Sequence, residues 1–407
     1  MTIKVWTDER AAGLLGAKGV RGTAFAYASG TGPADAVSIT MPVRLASWDS
    51  DYGLAPIFEM NLPEGALRER LRMAFAKATG TFDDLDLLAI VGRSQVGRLR
   101  YTDEHAELDQ AVPFQSVDEL LASRRDGNLF QYLLERFAAY SGVSGVQPKL
   151  LIRDDIAWGA GPEAGDRTSI QGATHIVKFW EDQYPQLAAN EFFCLKAAER
   201  AGLPVPRFQL SDDGRALVID RFDLRSDGRY RGFEDFCVLN ARTTAEKYRG
   251  SYETAVLKRF REFASPEQIA AGSETIFRTI ALNAALRNGD AHLKNFGIVY
   301  DDIEEEVALA PVYDLVTTTA YIQADQMALT LDGSTRWPAA KQLLAFGTNR
   351  QIGSPAAIKA MLGAIAEAVF ETMGDLKRHM QVEPEFEEIG TRMLAQWEEG
   401  IRTSLIV

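Results

Sequence analysis

Asn288-Gly-Asp-Ala-His-Leu-Lys-Asn295 is the stretch on which the reading of this chain turns. It packs a carboxylate, an imidazole, an ammonium and two carboxamides into one tight loop. A helical stripe of Ile269, Ile276, Phe277, Ile280 and Ala284 precedes it, and the β-prone run Phe296-Gly-Ile-Val-Tyr300 follows. Ser265-Pro266-Glu267-Gln268 reads as a capping box opening that helix, with proline at the first helical position. Asn288-Gly289 alone is ordinary Asx-turn chemistry. A turn does not account for the charged and amide groups packed behind it. Nor does it account for a second acidic loop, Pro311-Val-Tyr-Asp-Leu-Val316, which brings Asp314 soon after Asn295.

Phosphoryl transfer needs a base near the attacking hydroxyl and oxygen ligands for Mg²⁺. Asp290 and Asn295 stand at the spacing that separates the base from the metal-binding asparagine in a kinase catalytic loop, and Asp314 supplies a second metal oxygen. His292 alone reads as a structural hydrogen-bonder and not as a base. Upstream, Ser144-Gly-Val-Gln-Pro-Lys149 is a Gly-containing loop before a strand. It is suited to offering N–H groups to phosphates, yet it is neither a Walker loop nor a GxGxxG and also passes for a plain turn. Lys178, inside His175-Ile-Val-Lys-Phe179, either snorkels from an edge strand or reaches nucleotide phosphates. Asn190-Glu191 opens the next helix, as a carboxylate orienting that lysine or simply as an acid favoured by the helix dipole. Asp220-Arg-Phe-Asp223 ends the buried run Ala216–Ile219, where a hinge would meet an adenine or where an ordinary strand stops.

Around these loops the chain divides into three. Residues 1–105 read as a small α+β module, with strands at Ile3–Trp6, Thr23–Tyr27, Val37–Met41 and Val96–Tyr101 and a helix over Leu67–Ala78. Its Asn61-Leu-Pro-Glu-Gly65 reads as helix-entry chemistry. Residues 115–240 carry a helix over Val117–Tyr140, strands at Leu150–Arg153, His175–Phe179 and Ala216–Asp220, and a helix over Ala188–Gly202. Residues 241–407 turn helical, with one helix opened by Ser354-Pro355 and a last one striped by Phe386, Ile389, Met393, Trp397 and Ile401. The expected class is α+β: a kinase-like two-lobed fold with a small N-terminal α+β subdomain, a nucleotide-binding lobe and a largely helical C-terminal lobe.

The 407 residues are 46% hydrophobic and 25% charged, which excludes disorder and fibrous repeats as descriptions of the whole. With 44 Lys and Arg against 57 Asp and Glu, the net charge is −13, so the chain does not coat nucleic acid by bulk electrostatics. Cys194 and Cys237 make no disulfide framework. Without an apolar leader at the start or an apolar run of membrane length, a cytoplasmic protein is expected.

SGVQPKLLI (144–152), THIVKFW (174–180), NEFFCLKAAERAGLPVP (190–206), ALVIDRFD (216–223), NGDAHLKNF (288–296) and PVYDLVTTTAY (311–321) together resemble the HipA family, the serine/threonine kinase toxins of bacterial type II toxin–antitoxin modules. Their order and spacing fit as well. The first hundred residues, with NLPEG (61–65) and the run Leu87–Arg98, resemble the small domain that precedes the kinase core in these toxins. The resemblance implies Asp290 as catalytic base and Asn295 with Asp314 as Mg²⁺ ligands. It assigns Lys178 to the ATP phosphates and Ser144, Gly145, Val146, Gln147, Pro148 and Lys149 to the phosphate loop. It puts Asp220, Arg221 and Phe222 at the adenine hinge, where the family often shows Glu in place of Asp220. His292, Leu293, Lys294 and Tyr313 line the same cleft. It also implies autoregulation by phosphorylation of a serine in or beside the phosphate loop. The residue two before Ser144, a serine in some branches, is Gly142 here, which leaves Ser144 as first candidate and Ser141 as second.

By the same resemblance the chain uses ATP and Mg²⁺, and it pairs with a small basic HipB-like helix-turn-helix antitoxin that reaches operator DNA for the complex. An acidic toxin suits such a partner. The implied consequence is phosphorylation of a translation component, typically an aminoacyl-tRNA synthetase, with growth arrest and persistence. Two other readings stay open. One is a catalytically degenerate co-repressor bound to an antitoxin, which the intact Asp290, Asn295, Asp314 and Lys178 argue against. The other is a small-molecule or lipid kinase, whose lipid form the lack of a basic amphipathic stretch disfavours.

Overall fold

A computed structural model describes residues 1–79, 82–122, 129–154, 170–180 and 182–406. Two compact units share the chain, and neither is continuous. The first comprises Met1–Phe179, Val218–Thr244 and Val299–Val307; the second comprises Trp180–Leu217, Ala245–Ile298 and Ala308–Val407.

The first unit opens with an antiparallel five-stranded sheet. Its strands are β1 (Thr2–Thr7), β2 (Arg10–Lys18), β3 (Gly22–Tyr27), β4 (Trp48–Ser50) and β5 (Leu99–Asp103), in the order β4-β3-β2-β1-β5. Ile3 pairs with Leu15 and Leu15 with Phe25, so one buried row crosses three strands. Such cross-strand apolar pairs are what stabilise a sheet. β2, RAAGLLGAK, has no β-branched residue, and its propensity does not announce a strand; its neighbours on both sides make it one. The strand expected at Val37–Met41 is reduced to a single bridge between Ser38 and Met41. Ser38 Oγ and the Ile39 N–H both donate to the buried Glu234 carboxylate at 2.7 Å, which takes a backbone donor that a ladder would need. The closing strand falls at Leu99–Asp103, later than Val96–Tyr101, because Gly97 N–H is turned to Asp223 Oδ2 at 2.7 Å. Helices run over Gly65–Thr79 and Asp84–Val91. Of the helix expected over Val117–Tyr140, Val117–Leu121 and Leu129–Phe137 are helical and Ala138–Tyr140 is a tighter 3₁₀ turn; residues 123–128 lie outside the described residues.

In the same unit, Lys149–Ile152 runs antiparallel to His175–Lys178, with Val218–Asp220 along the latter's other edge. A buried ion pair ties this part to the N-terminal sheet. Arg221 bonds Asp223 through both Nε and a terminal nitrogen, and donates to Gln95 O at 2.8 Å. Its guanidinium lies 4.1 Å from the centroid of the Tyr230 ring, and that of Arg100, from β5, lies 4.4 Å from the same ring. Two buried cations are tolerated here because each finds oxygen acceptors and an aromatic face.

The second unit is helical: Leu187–Arg200, Pro266–Leu286, Ala340–Asn349, Pro355–Val382 and Glu387–Gly400. Pro266–Leu286 packs against the last two, its Ile276, Phe277 and Ile280 are buried, and Phe277 stacks on Phe346 of Ala340–Asn349. Ser354 caps its helix by accepting from Ala357 N–H at 3.2 Å. Phe386, Ile389, Met393 and Trp397 are buried as their spacing predicts, and Ile401 is half-buried. Asn190 is not the start of its helix, which begins at Leu187. It is buried within it, and its carboxamide bonds both the N–H (2.8 Å) and the C=O (3.2 Å) of Thr317. Trp397 Nε1 donates to Thr317 Oγ1 at 2.7 Å. Two helices thus pin the segment that carries Asp314. No helix among the described residues is long and apolar enough to cross a membrane.

Removing one partner of a buried ion pair leaves the other charge uncompensated. Asp223→Ala is therefore expected to cost about 3–5 kcal/mol of stability, read as a lowered urea midpoint, whereas Asp227→Ala, in an exposed pair with Arg229, should leave the midpoint within error.

Candidate active site

The helix Pro266–Leu286 stops because Arg287 adopts a left-handed conformation, φ +57. Its guanidinium bonds Thr403 Oγ1 at 2.6 Å, Ser404 Oγ at 3.3 Å and Ala284 O at 3.1 Å, and lies 5.2 Å from the Trp337 ring centroid. Asn288 then folds back. Its Nδ2 donates to Asn283 Oδ1 at 2.7 Å, while its Oδ1 accepts from Asp290 N–H at 3.1 Å. Gly289 N–H donates to Thr318 Oγ1 at 2.7 Å, and a Cβ there would collide with the Asp325 carboxylate and the Gln326 carbonyl. This position admits only glycine.

The loop so held presents Asp290. Tyr248 donates its hydroxyl to Asp290 Oδ1 at 2.7 Å, and His292 Nε2 stands 3.9 Å from the same oxygen. The Asp290 side chain stays 48% exposed, yet the packing around it still pushes its pKa above the ordinary carboxylate value. The Tyr248 hydrogen bond and Lys247 pull that value back, and the negative charges of Asp314 and Asp325 push it up. His292 is buried, and desolvation, helped by Lys247 and Lys294, lowers its pKa to about 3. It is a neutral imidazole at physiological pH. Its ring meets Tyr248 edge-on at 5.0 Å, and among the described residues its buried Nδ1 has no hydrogen-bond partner.

Leu293–Asn295 form one 3₁₀ turn with Leu293 fully buried. Asn295 Nδ2 reaches Asp314 O at 3.4 Å, and Tyr313 OH donates to Lys294 O at 2.9 Å. The two loops are thereby stitched together. Asn295 Oδ1 is buried and, among the described residues, has no hydrogen-bond partner. Such an orphaned acceptor costs about 1–3 kcal/mol unless something binds it. Asp314 itself sits at φ +54, a conformation that aspartate tolerates better than most residues. A buried carboxamide oxygen and a carboxylate on two loops joined in this way are oxygen donors of the kind that suit a hard divalent cation. Among the described residues no group of three or more His, Cys, Asp or Glu could hold a metal. Any ion here would complete its shell with oxygens of other kinds: water, carbonyl or bound-molecule oxygens.

The other candidate residues lie in the first unit. Lys149 and Lys178 are register partners on adjacent strands, and both are buried. Gln147 Nε2 donates to Phe179 O at 3.1 Å, and Phe179 N–H donates to Pro148 O at 2.8 Å, which fastens the loop to the strand end. Ser144 Oγ donates to Glu64 Oε1 at 2.6 Å. Helix entry is thus not the whole role of Asn61–Gly65: it grips the loop at 144–149. Ser141 is buried, donating to Phe137 O at 2.8 Å and accepting from Leu151 N–H at 2.9 Å. Gly142 passes against Ser94 and Gln95, where an added Cβ would lie 2.7 Å from Ser94 O, so no serine fits at that place. Asp220 meets His175 Nε2 at 2.9 Å, and the Arg221 side chain is turned into the core. The sequence reading missed Tyr248, Glu64 and Arg287. Only Glu64 carried a local signal, the Pro-Glu-Gly triplet.

Fold and site together define an α+β protein whose candidate catalytic loops lie in the second unit and whose other candidate residues lie in the first. The HipA N-terminal domain matches residues 3–102, and the HipA-like C-terminal domain matches residues 141–373. The chain belongs to the HipA family. It is 30% identical over 292 residues to "Putative kinase Y4dM" of Sinorhizobium fredii (strain NBRC 101917 / NGR234), covering 67% of this chain and 64% of that protein. It is 28% identical over 316 residues to "Putative kinase Y4mE" of the same organism, covering 70% and 69%. The aligned part therefore spans less than two thirds of Y4dM. Its fold is similar to a chain of the Shewanella oneidensis MR-1 toxin–antitoxin complex of HipA, HipB and operator DNA, with TM-score 0.66 and 20% identity over 98% of this chain and 97% of that one.

The lowered pKa of His292 has a sign that is readily tested. Between about pH 6.5 and about 3 the unfolded chain holds a proton that the folded imidazole does not. The stability linked to His292 is therefore complete above pH 6.5 and is lost as the pH falls. Urea midpoints of the wild type should drop from pH 7 to pH 4 more steeply than those of His292→Gln.

Proposed function

We propose that this chain is an ATP-dependent serine/threonine protein kinase acting as the toxin of a toxin–antitoxin pair. One observation carries the reading: within a single loop, a half-exposed carboxylate, Asp290, stands five positions before a buried carboxamide oxygen, that of Asn295, which takes no hydrogen bond among the described residues. Asp290 would accept the proton of an acceptor hydroxyl as the γ-phosphoryl leaves ATP. Asn295 Oδ1 and Asp314 would hold Mg²⁺, which when bound neutralises and orients phosphate oxygens. Lys178, Lys149 and the rest of the loop from Ser144 would engage the ATP phosphates. At Asp220–Phe222 the Arg221 side chain is committed to Asp223 and Gln95, which leaves adenine contacts to backbone groups and to Phe222.

The partner we propose is a basic helix-turn-helix antitoxin of the HipB kind, with operator DNA reached through it. The likeness to a chain from the HipA–HipB–operator complex and the net charge of −13 support this. A translation component such as an aminoacyl-tRNA synthetase would be the acceptor, and the cytoplasm the place of action.

Asp290→Asn and Asp314→Asn are expected to slow transfer from [γ-³²P]ATP by about 10²–10⁴-fold with melting temperatures unchanged. Near wild-type transfer by either variant would remove its residue from the proposed role.

Autoregulation centres on Ser144. A phosphate there adds about −1.5 to −2 charges beside the Glu64 carboxylate, so the hydrogen bond becomes a repulsion and the loop is driven off its seat. Peptide mass spectrometry should find one phosphate on Ser144 in active protein, none on the buried Ser141, and none in Asp290→Asn.

A further inference from the structure

We infer that Tyr248 is a positioning residue of the transfer reaction: it holds Asp290 by one carboxylate oxygen and so turns the other toward the acceptor. The inference rests on Asp290 being the base. Tyr248 OH donates to Asp290 Oδ1 at 2.7 Å, and among the described residues Oδ2 takes no hydrogen bond. The two oxygens of a free carboxylate are equivalent, and its terminal torsion is broad. A donor on one oxygen breaks that equivalence and fixes the rotamer. A base must lie within hydrogen-bond reach of the proton it takes, in one geometry, so a fixed rotamer lowers the cost of reaching the transition state.

Tyr248 is itself held. Its ring packs edge-on against buried His292 at 5.0 Å, and the adjacent Lys247 carbonyl accepts the Leu293 N–H at 3.1 Å. The backbone on both sides of the contact is thus joined independently of the Tyr248 hydroxyl. The residue nevertheless remains 51% exposed. A tyrosine kept for packing alone would bury its ring, whereas this one leaves half its surface in water and spends its hydroxyl on the candidate base.

Tyr248→Phe keeps the ring on His292 and removes only the donor. Transfer from [γ-³²P]ATP to the proteins of a bacterial lysate, measured with the purified full chain, gives kcat and the KM for ATP; calorimetry with MgATP gives affinity. The expected result is a kcat about 10–100-fold lower, the loss that follows from one hydrogen bond to a charged group. KM, MgATP affinity and melting temperature should stay at wild-type values. A structural role would instead lower the melting temperature and raise KM. An unchanged kcat in Tyr248→Phe, or a faster one, in which the hydroxyl had been blocking the base, overturns the inference while leaving the kinase reading intact. Absence of transfer by the wild type overturns both.

Discussion

The left-handed turn at Arg287 is the constraint from which the candidate site follows. A non-glycine residue in that conformation costs on the order of 1–2 kcal/mol, and it persists only where its surroundings over-determine it. Here Thr403, Ser404 and the Ala284 carbonyl bind the guanidinium, and Trp337 lies beneath it. Once the helix ends there, Asn288 must fold back on Asn283, and Gly289 must slide under Thr318. Asp290 then emerges at the surface. A half-exposed carboxylate is thus presented by the hydrogen-bonded frame of Arg287, Asn288 and Gly289. Such a frame holds a reacting group in place more rigidly than a surface loop does.

Both units are assembled in the same way. In the first, Arg221, Asp223, Arg100 and Tyr230 join the N-terminal sheet to the segment after Leu217. Glu234 gathers Ser38, Ile39 and Tyr300. In the second, Asn190, Thr317 and Trp397 fix the segment of Asp314. A buried polar group is tolerable only when paired, so each cluster admits one arrangement of its strands and loops. Glu64 extends this logic to the loop at 144–149, where its hydrogen bond to Ser144 lets the N-terminal module act on a loop far along the chain.

The regular elements were legible from local pattern. The helices after Pro266 and Pro355 and the stripe from Phe386 to Trp397 lie where apolar spacing puts them, because a core face repeats with the period of its own helix. So do the strands at 149–152, 175–178 and 217–220. β2 was not legible, since its alanines and glycines become a strand only between β1 and β3. Val37–Met41 misled, because a distant carboxylate claims its polar groups.

For the candidate site, the residue types of Asp290, Asn295 and Asp314 and their spacing along the chain were determined by the sequence itself, as was membership of the HipA family. Only the tertiary structure decided that Ser141 is sealed in the core while Ser144 is tethered to Glu64, that Gly142 has no room for a serine, and that Tyr248 reaches Asp290. The reason lies in separation along the chain. Periodicity and turn chemistry act within a few residues and leave a trace in composition. The hydrogen bonds that orient this site join residues 42 and 80 positions apart, and no local pattern records which distant donor will meet which acceptor.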